Sequence, residues 1–148
     1  MTFLFKSSVG FKVIFVLITL FMTNTLVAQS QPQKNYYIKS VFFGGGSYYI
    51  DQEQEHELIE FILEIEDLRE YEIEIHGHTD NIGSVSYNQW LSEMRSFEVL
   101  DIISELELNK TGIQVHDFGE LSPYYDNHTW EGKLSNRRVD VIIRKITM

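Results

Sequence analysis

Residues 71–95 read YEIEIHGHTDNIGSVSYNQWLSEMR, and this stretch decides the fold. From Tyr71 to Thr79 apolar and polar residues alternate, which predicts a half-buried β-strand. The next five residues, 80–84, have the composition of a turn. From Val85 to Leu108 the apolar residues return at helical spacing, which predicts a helix. The stretch is therefore a strand, a tight turn and a helix that packs back on the strand.

Four further elements and one loop extend this unit in both directions. They are a strand in 35–43 that stops at Gly44-Gly45-Gly46, a helix in 52–68, a strand in 113–118, a long polar loop in 119–133 and a strand in 138–146. The helix in 52–68 carries apolar residues three and four positions apart. The order β-α-β-α-β-(loop)-β predicts an α/β (α+β) two-layer sandwich, a mixed sheet with helices on one face.

The amino-terminal segment has the pattern of an export signal. Lys6 and Lys12 precede an unbroken apolar run, 13–22, and cleavage after Ala28 is the expected processing step. The alternative is an uncleaved inner-membrane anchor, for which this run is half the roughly 20 apolar residues that a span needs. The chain then divides into a signal peptide in 1–28, a flexible lead-in in 29–35 and one globular domain in 36–148. We expect a periplasmic protein.

Charge and cysteine usage exclude several classes of partner. The chain has a formal net charge of −10. Loss of Lys6 and Lys12 would leave 12 − 2 = 10 basic residues against 22 acidic ones, a net charge of −12. Such a surface does not favour nucleic acid or anionic lipid. The chain has no cysteine, so it forms no disulfide and offers no site for amino-terminal lipidation.

The second helix contains one anomaly. Steps of three and four residues define a single stripe on it: Asn88, Leu91, Arg95, Val99, Ile102 and Leu106. The stripe is mostly apolar and should face the sheet, so Arg95 needs an anionic partner there. Asp80, beside the start of the helix, is the nearest candidate. Either the two residues form a structural salt bridge, or they form a site of opposite charges that grips a zwitterion.

Two sets of motifs connect this chain with a known family. The first comprises Gly77-His78-Thr79-Asp80-Asn81-Ile82-Gly83, Tyr87-Asn88, Leu91-Ser92 and Arg95. The second comprises Gly119-Glu120, Pro123, Asn127, Glu131-Gly132 and Asn136-Arg137-Arg138-Val139. Together they resemble the OmpA-like peptidoglycan-binding domains (OmpA C-terminal, Pal and MotB type), and the resemblance covers residues 36–146. So many fixed spacings make the signal far more specific than one short motif.

The resemblance implies a ligand and a set of roles. The ligand is meso-diaminopimelate in the peptide stem of the cell wall, with Asp80 binding its ammonium group and Arg95 its carboxylate. Asn88, Thr79, Asn81 and Arg138 would complete the site. The family resemblance further implies a non-enzymatic protein without cofactor, associated with the outer membrane or cell wall. Peptidoglycan is the expected partner, together with an outer-membrane or envelope protein.

One segment departs from the family pattern. Gly44, Gly45 and Gly46 stand where the family usually has side chains that touch the ligand. Glycines allow a close backbone approach, so we expect the backbone of this segment to lie near the ligand. The alternative is that the loss of those side-chain contacts weakens binding.

Two other functions fit some of the same residues. His76, His78 and Asp80 would suit a zinc-dependent cell-wall peptidase, because His and Asp are zinc ligands. However, His76 also continues the polar face of its strand and no HExxH motif is present, so we expect no metal. A protein-interaction module of an envelope assembly is the other alternative. The aromatic residues Tyr124, Tyr125 and Trp130 in the long loop would offer a contact surface.

Overall fold

The computed structural model describes residues 35–106, 108 and 112–147. The predicted signal and the lead-in up to residue 34 lie outside the described residues. The strands are β1 (Tyr36–Phe42), β2 (Tyr71–His78), β3 (Ile113–Gly119) and β4 (Arg138–Lys145). The helices are α1 (Gln52–Leu63), α2 (Val85–Glu105) and α3 (Trp130–Asn136), with a 3₁₀ turn at Leu68–Glu70. Within these ranges no helix is both long and apolar enough to cross a bilayer.

The four strands form one mixed sheet in the order β1-β4-β2-β3. β4 runs antiparallel to both β1 and β2, whereas β2 and β3 are parallel. The register pairs Val41 with Val139 and Ile75 with Val141, which places apolar side chains of three strands on the same face. The predicted mixed sheet is therefore confirmed.

The core lies between that face and the first two helices. Ile73, Ile75 and Val141 of the sheet are fully buried in one cluster with Leu58 of α1 and Val99 of α2. Residues between them in β2 and β4, such as Glu74 and Asp140, point to the opposite face, since side chains alternate along a strand. We call that opposite side the open face. The two-layer architecture with α1 and α2 on one face is thus as predicted.

The buried face of α2 is rotated slightly from the predicted stripe. Ile103 is buried, whereas Ile102 and Leu106 are only partly so. The reason lies at Gly77 of β2, where an added Cβ would stand 2.4 Å from the Ser96 hydroxyl oxygen and 2.7 Å from the Ser92 carbonyl oxygen. Small residues on both elements let the helix approach the strand closely, and the helix turns its serines toward it.

The first helix is shorter than the apolar spacing predicts. It begins with Asp51, whose side chain accepts from the backbone N–H of Gln54, and it ends at Leu63 rather than continuing to Leu68. Asp67 has φ of 52°, a left-handed conformation that a helix cannot contain. Ile65 nevertheless reaches the core from the turn that follows. The apolar spacing thus marks the buried side correctly but overestimates the helix.

The segment predicted as a long polar loop in 119–133 contains the start of α3. Its cap is Thr129, whose hydroxyl accepts from the backbone N–H of Gly132 at 3.0 Å. An added Cβ on Gly132 would lie 2.0 Å from the Asp126 carbonyl oxygen, so the glycine is required for this tight turn. Helix α3 leads directly into β4 and fixes the direction of the arginines at its end.

Candidate functional site

The candidate site lies at one end of the sheet. The backbone N–H of Phe43, just after β1, donates to the carbonyl of Arg137, just before β4, at 2.8 Å. The N–H of Thr79, just after β2, donates to the carbonyl of Gly119 at the end of β3 at 2.9 Å. The polar motif residues that follow β2 therefore meet the residues that precede β4 beside the start of α2.

Asp80 is buried and is held on both carboxylate oxygens. Its Oδ2 accepts from Nε of Arg137 at 2.6 Å, and its Oδ1 accepts from the backbone N–H of Ile82 at 3.1 Å. Among the described residues, no carboxylate lies within ion-pair distance of Arg95. The interpretation of Asp80 and Arg95 as a structural salt bridge is therefore wrong, because Asp80 pairs with Arg137.

Arg95 is the largest fully buried side chain among the described residues, as its place on the inward stripe predicts. Its guanidinium donates to three backbone carbonyls: Ser47 at 2.8 Å, His78 at 3.0 Å and Gly44 at 3.0 Å. It also lies 5.0 Å from the centre of the Phe43 ring. Arg95 thus joins the end of β2 to the segment that follows β1.

Two arginines act on each other and on Asp80 in this site. Burial lowers the pKa of Arg95 to about 10, Asp80 opposes this shift and Arg137 adds to it. Arg95 stays protonated at neutral pH, because even this lowered pKa lies well above it. Two guanidinium groups therefore act on one carboxylate, which is a local exception in a strongly acidic chain.

The glycine segment 44–46 contributes its backbone. The Gly44 carbonyl accepts from Arg95, and Gly45 lies so close to Arg137 that an added Cβ would be 3.1 Å from Nη1. Gly46 has φ of +67°, a conformation that other residues rarely adopt. The backbone of this segment therefore lies against the two arginines, while its expected approach to a ligand stays a prediction.

The other polar residues predicted for the site fall into two groups. Asn88 and Thr79 are buried: the Asn88 side-chain amide donates to Glu120, while Asn88 Oδ1 and Thr79 Oγ1 have no hydrogen-bond partner among the described residues. Asn81 is exposed in the turn. A buried polar atom without a partner is costly, so these two oxygens are suited to a ligand or to bound water.

Arg138 lies apart from Asp80, on the open face. Its Nε donates to both carboxylate oxygens of Asp140, at 3.1 and 3.0 Å. The same carboxylate lies 3.9 Å from Nε2 of His78, and burial lowers the pKa of His78 to about 4. Among the described residues, Asp80 contacts Arg137, whereas the family resemblance had assigned Arg138 to the site.

The residues of the zinc-peptidase alternative are not assembled. His76 and His78 both lie on the open face, but Asp80 is beyond the strand end and is engaged by Arg137. Among the described residues, the one group with three suitable ligand atoms close together is Glu74, His76 and His116. The set His76, His78 and Asp80 is therefore not a metal site in this fold.

The aromatic residues of the long loop are exposed, as expected. Tyr124 is 79% exposed and Trp130 is 61% exposed. The Trp130 ring nevertheless covers part of the site, since the Arg137 guanidinium lies 5.3 Å from its centre. Tyr125 lies similarly over Arg138, at 5.7 Å. These rings therefore shield the arginines while they keep an exposed side.

Two site residues were not predicted from the sequence, Arg137 and Glu120. A signal for Arg137 was available in the alternation along β4. It places Arg138 and Asp140 on the same face and leaves Arg137 just before the strand. Glu120 follows the glycine at the end of β3 and stands in the second set of family motifs, but the resemblance implied no role for it. Both reach the site only through strand pairing with β2.

Comparisons with known proteins agree with this architecture. Residues 42–137 match the OmpA family. The outer-membrane lipoprotein YfiB of Pseudomonas aeruginosa is 39% identical over 71 residues, which are 48% of this chain and 42% of that protein. The peptidoglycan-binding protein ArfA of Mycobacterium bovis is 34% identical over 71 residues, 48% of this chain and 22% of that protein. The matches thus span less than half the length of these relatives.

A solved structure shows the same fold. The peptidoglycan-associated lipoprotein from Burkholderia pseudomallei superposes with a TM-score of 0.65 at 24% sequence identity, covering 72% of this chain and 90% of that one. The family match extends from the end of β1 to the residue before β4, and so it includes Asp80, Arg95 and Arg137. On the strength of that match, this chain is a member of the OmpA family.

Proposed function

We propose that this chain binds peptidoglycan without catalysis, through the amino-acid head of meso-diaminopimelate in the stem peptide. The OmpA family is non-enzymatic. One sequence relative is a peptidoglycan-binding protein and the structural neighbour is peptidoglycan-associated, as their names state. The observation that carries the proposal is the buried cluster of Asp80, Arg95 and Arg137 at the strand ends.

The charges of this cluster suit a zwitterion. The ligand's ammonium group binds Asp80, and its carboxylate binds Arg95. Hydrogen bonds between ionised groups are the strong ones, and a planar guanidinium holds a carboxylate in a defined orientation. Recognition by both signs of charge also distinguishes diaminopimelate from lysine, which carries no carboxylate at that end of its side chain.

Arg95 has donors left for such a ligand. A guanidinium has five N–H groups, and the bonds to Ser47, His78 and Gly44 use three of them, one on each nitrogen. One N–H on each terminal nitrogen therefore has no partner among the described residues. Since Arg95 is fully buried, the ligand reaches it when the segment 44–47 moves aside. The ligand's carboxylate then replaces the Gly44 and Ser47 carbonyls on the guanidinium, and the glycines give the segment the backbone freedom to move.

The remaining contacts come from the edges of the cluster. Thr79 Oγ1 and Asn88 Oδ1 are buried acceptors without partners among the described residues, and they lie on either side of the turn that carries Asp80. We assign them to the ligand's N–H groups. Asn81 is exposed at the entrance and Arg138 lies on the open face, so both contribute at the periphery.

We place this activity in the cell envelope. Outer-membrane proteins are among the sequence relatives, and diaminopimelate stems are found in the wall beneath that membrane. The domain faces the periplasm in this proposal, exported by the signal predicted in residues 1–28. It holds the envelope to the wall by itself or together with an envelope protein partner.

Two synthetic stem peptides that differ in one carboxylate test the proposal. Thermal melts and calorimetric titrations compare a diaminopimelate peptide with the corresponding lysine peptide. We expect the first to bind and to raise the melting temperature, and the second to do neither. Asp80→Asn and Arg95→Lys should each weaken binding by about 2 kcal/mol or more, that is, at least about 30-fold.

Arg69→Ala is the matched control, because Arg69 is exposed on the 3₁₀ turn away from the site. This variant should bind and sediment with isolated cell-wall sacculi as the parent does. Equal affinity for the two peptides would exclude diaminopimelate recognition. Variants of Asp80 and Arg95 that melt at lower temperature yet still bind would assign these residues to the fold alone.

A further inference from the structure

The open face of the sheet carries a second polar cluster, away from Asp80 and Arg95. Glu74 and His76 are alternate residues of β2 and so point to the same side. His116 is the direct strand partner of His76 in β3, which places its ring beside that of His76, with 5.2 Å between ring centres. Glu74 and His116 are 42 positions apart in the sequence, yet all three side chains lie close together on the open face.

The distances within this cluster suit a metal ion. Glu74 Oε2 lies 3.0 Å from His76 Nε2, and the ligand atoms of Glu74, His76 and His116 all lie within 4.8 Å of one another. Ligand atoms around a tetrahedral zinc ion are about 3.3 Å apart, given bond lengths of about 2.0–2.2 Å. The first pair is already close to that separation. A small rotation of the exposed His116 side chain brings its ring nitrogen to the same separation from the Glu74 and His76 ligand atoms.

The surroundings orient these side chains. Arg144 Nη2 lies 3.7 Å from Glu74 Oε1, which leaves Oε2 directed toward His76. The Phe118 ring packs edge-on against His76 at 5.3 Å and lies alongside His116 at 6.3 Å. Side chains held by a charged neighbour and an apolar wall lose less freedom when they bind, and such outer contacts tune metal sites.

We propose that Glu74, His76 and His116 bind a divalent transition-metal ion of the zinc type. Two imidazoles and one carboxylate are ligands that zinc accepts, whereas magnesium and calcium prefer oxygen ligands alone. The exposed side of His116 leaves the fourth position to water. This site shares no residue with the Asp80 cluster.

Calorimetric titration of the protein without an affinity tag tests this site. We expect one equivalent of Zn²⁺ to bind and to raise the melting temperature, and an equal concentration of Mg²⁺ to do neither. His116→Ala and Glu74→Gln should each weaken Zn²⁺ binding at least about tenfold, since even loss of an outer contact costs that much. His116 is exposed, so its replacement should leave the melting temperature without metal unchanged.

Two other histidines provide matched controls. His128 lies beside Asp126 and His56 beside Glu60, so each has one carboxylate neighbour on the surface. His128→Ala and His56→Ala should bind Zn²⁺ as the parent does. Absence of stoichiometric Zn²⁺ binding would overturn the proposal. So would binding that survives His116→Ala and is lost in either control, because it would then be an adventitious surface contact.

Discussion

Arg137 Nε and Asp80 Oδ2 are 2.6 Å apart, and both side chains are more than nine-tenths buried. The pair joins the residue before β4 to the turn after β2, across two antiparallel strands that the chain does not connect directly. A buried ion pair of this kind makes the position of Asp80 depend on β4 as well as on its own turn.

Arg137→Ala should lower the free energy of unfolding by about 3–5 kcal/mol, because it leaves the Asp80 carboxylate buried without its partner. Chemical denaturation measures this change. The double variant Asp80→Asn, Arg137→Ala should lose clearly less than the sum of the two single variants, since neither group is then left charged and unpaired. Additive losses would show that the two side chains act separately.

Arg95→Lys should destabilise the fold by about 2–5 kcal/mol, because a lysine cannot donate to the carbonyls of Gly44, Ser47 and His78 together. Arg69→Lys, on the exposed 3₁₀ turn, should stay within about 0.5 kcal/mol of the parent. Denaturant midpoints at neutral pH give both values. If Arg95→Lys lowers the free energy of unfolding no more than Arg69→Lys does, the hydrogen bonds from the Arg95 guanidinium to the three carbonyls do not stabilise the domain.

The strand and helix in residues 71–105 could be predicted because their patterns are local. Alternation from Tyr71 marks β2, and apolar spacing after Val85 marks α2. The stripe on α2 and the family motifs both point to Asp80 and Arg95 as the ligand-binding pair, and that role stays a prediction. Burial of Arg95 followed from its stripe alone, since Leu91 and Val99 on either side of it are apolar.

The remainder depends on pairing between distant strands, which no local pattern contains. Arg137 reaches Asp80 only because β4 lies beside β2, and His116 reaches His76 only because β3 lies on the other side. Helix α3 was missed for a different reason. Its seven residues include a glycine and a serine, and its main signal is the cap at Thr129.

Gly77→Ala should lower the free energy of unfolding by about 1–3 kcal/mol, since the new methyl group would overlap the Ser96 hydroxyl and the Ser92 carbonyl on α2. Gly44→Ala is the matched control, because its Cβ would meet Ser47 Cβ at 3.7 Å, an ordinary contact. Thermal melts distinguish the two. A smaller loss from Gly77→Ala in a Ser96→Ala background than in the parent would identify the Ser96 hydroxyl as one source of the clash.

His78 should make the domain less stable in acid. Burial is the main cause that lowers its pKa from 6.5 to about 4. The charge of Arg138 and, less strongly, that of His76 lower the pKa further, whereas Asp140 raises it. Between these two values the unfolded chain binds a proton that the folded chain does not, so the free energy of unfolding falls as pH decreases from 6.5 toward 4. After allowance for solvent screening, the loss attributable to His78 is about 2 kcal/mol.

The measurement is a difference, because carboxylates also titrate toward the lower end of this range. Denaturation at pH 7.0 and at about pH 4.5 should show a smaller loss of stability in His78→Gln than in the parent, since glutamine takes up no proton. His128→Gln should lose as much as the parent, because that side chain is 94% exposed and pairs only with an exposed neighbour, Asp126. If His78→Gln and the parent lose stability equally, protonation of His78 does not oppose folding.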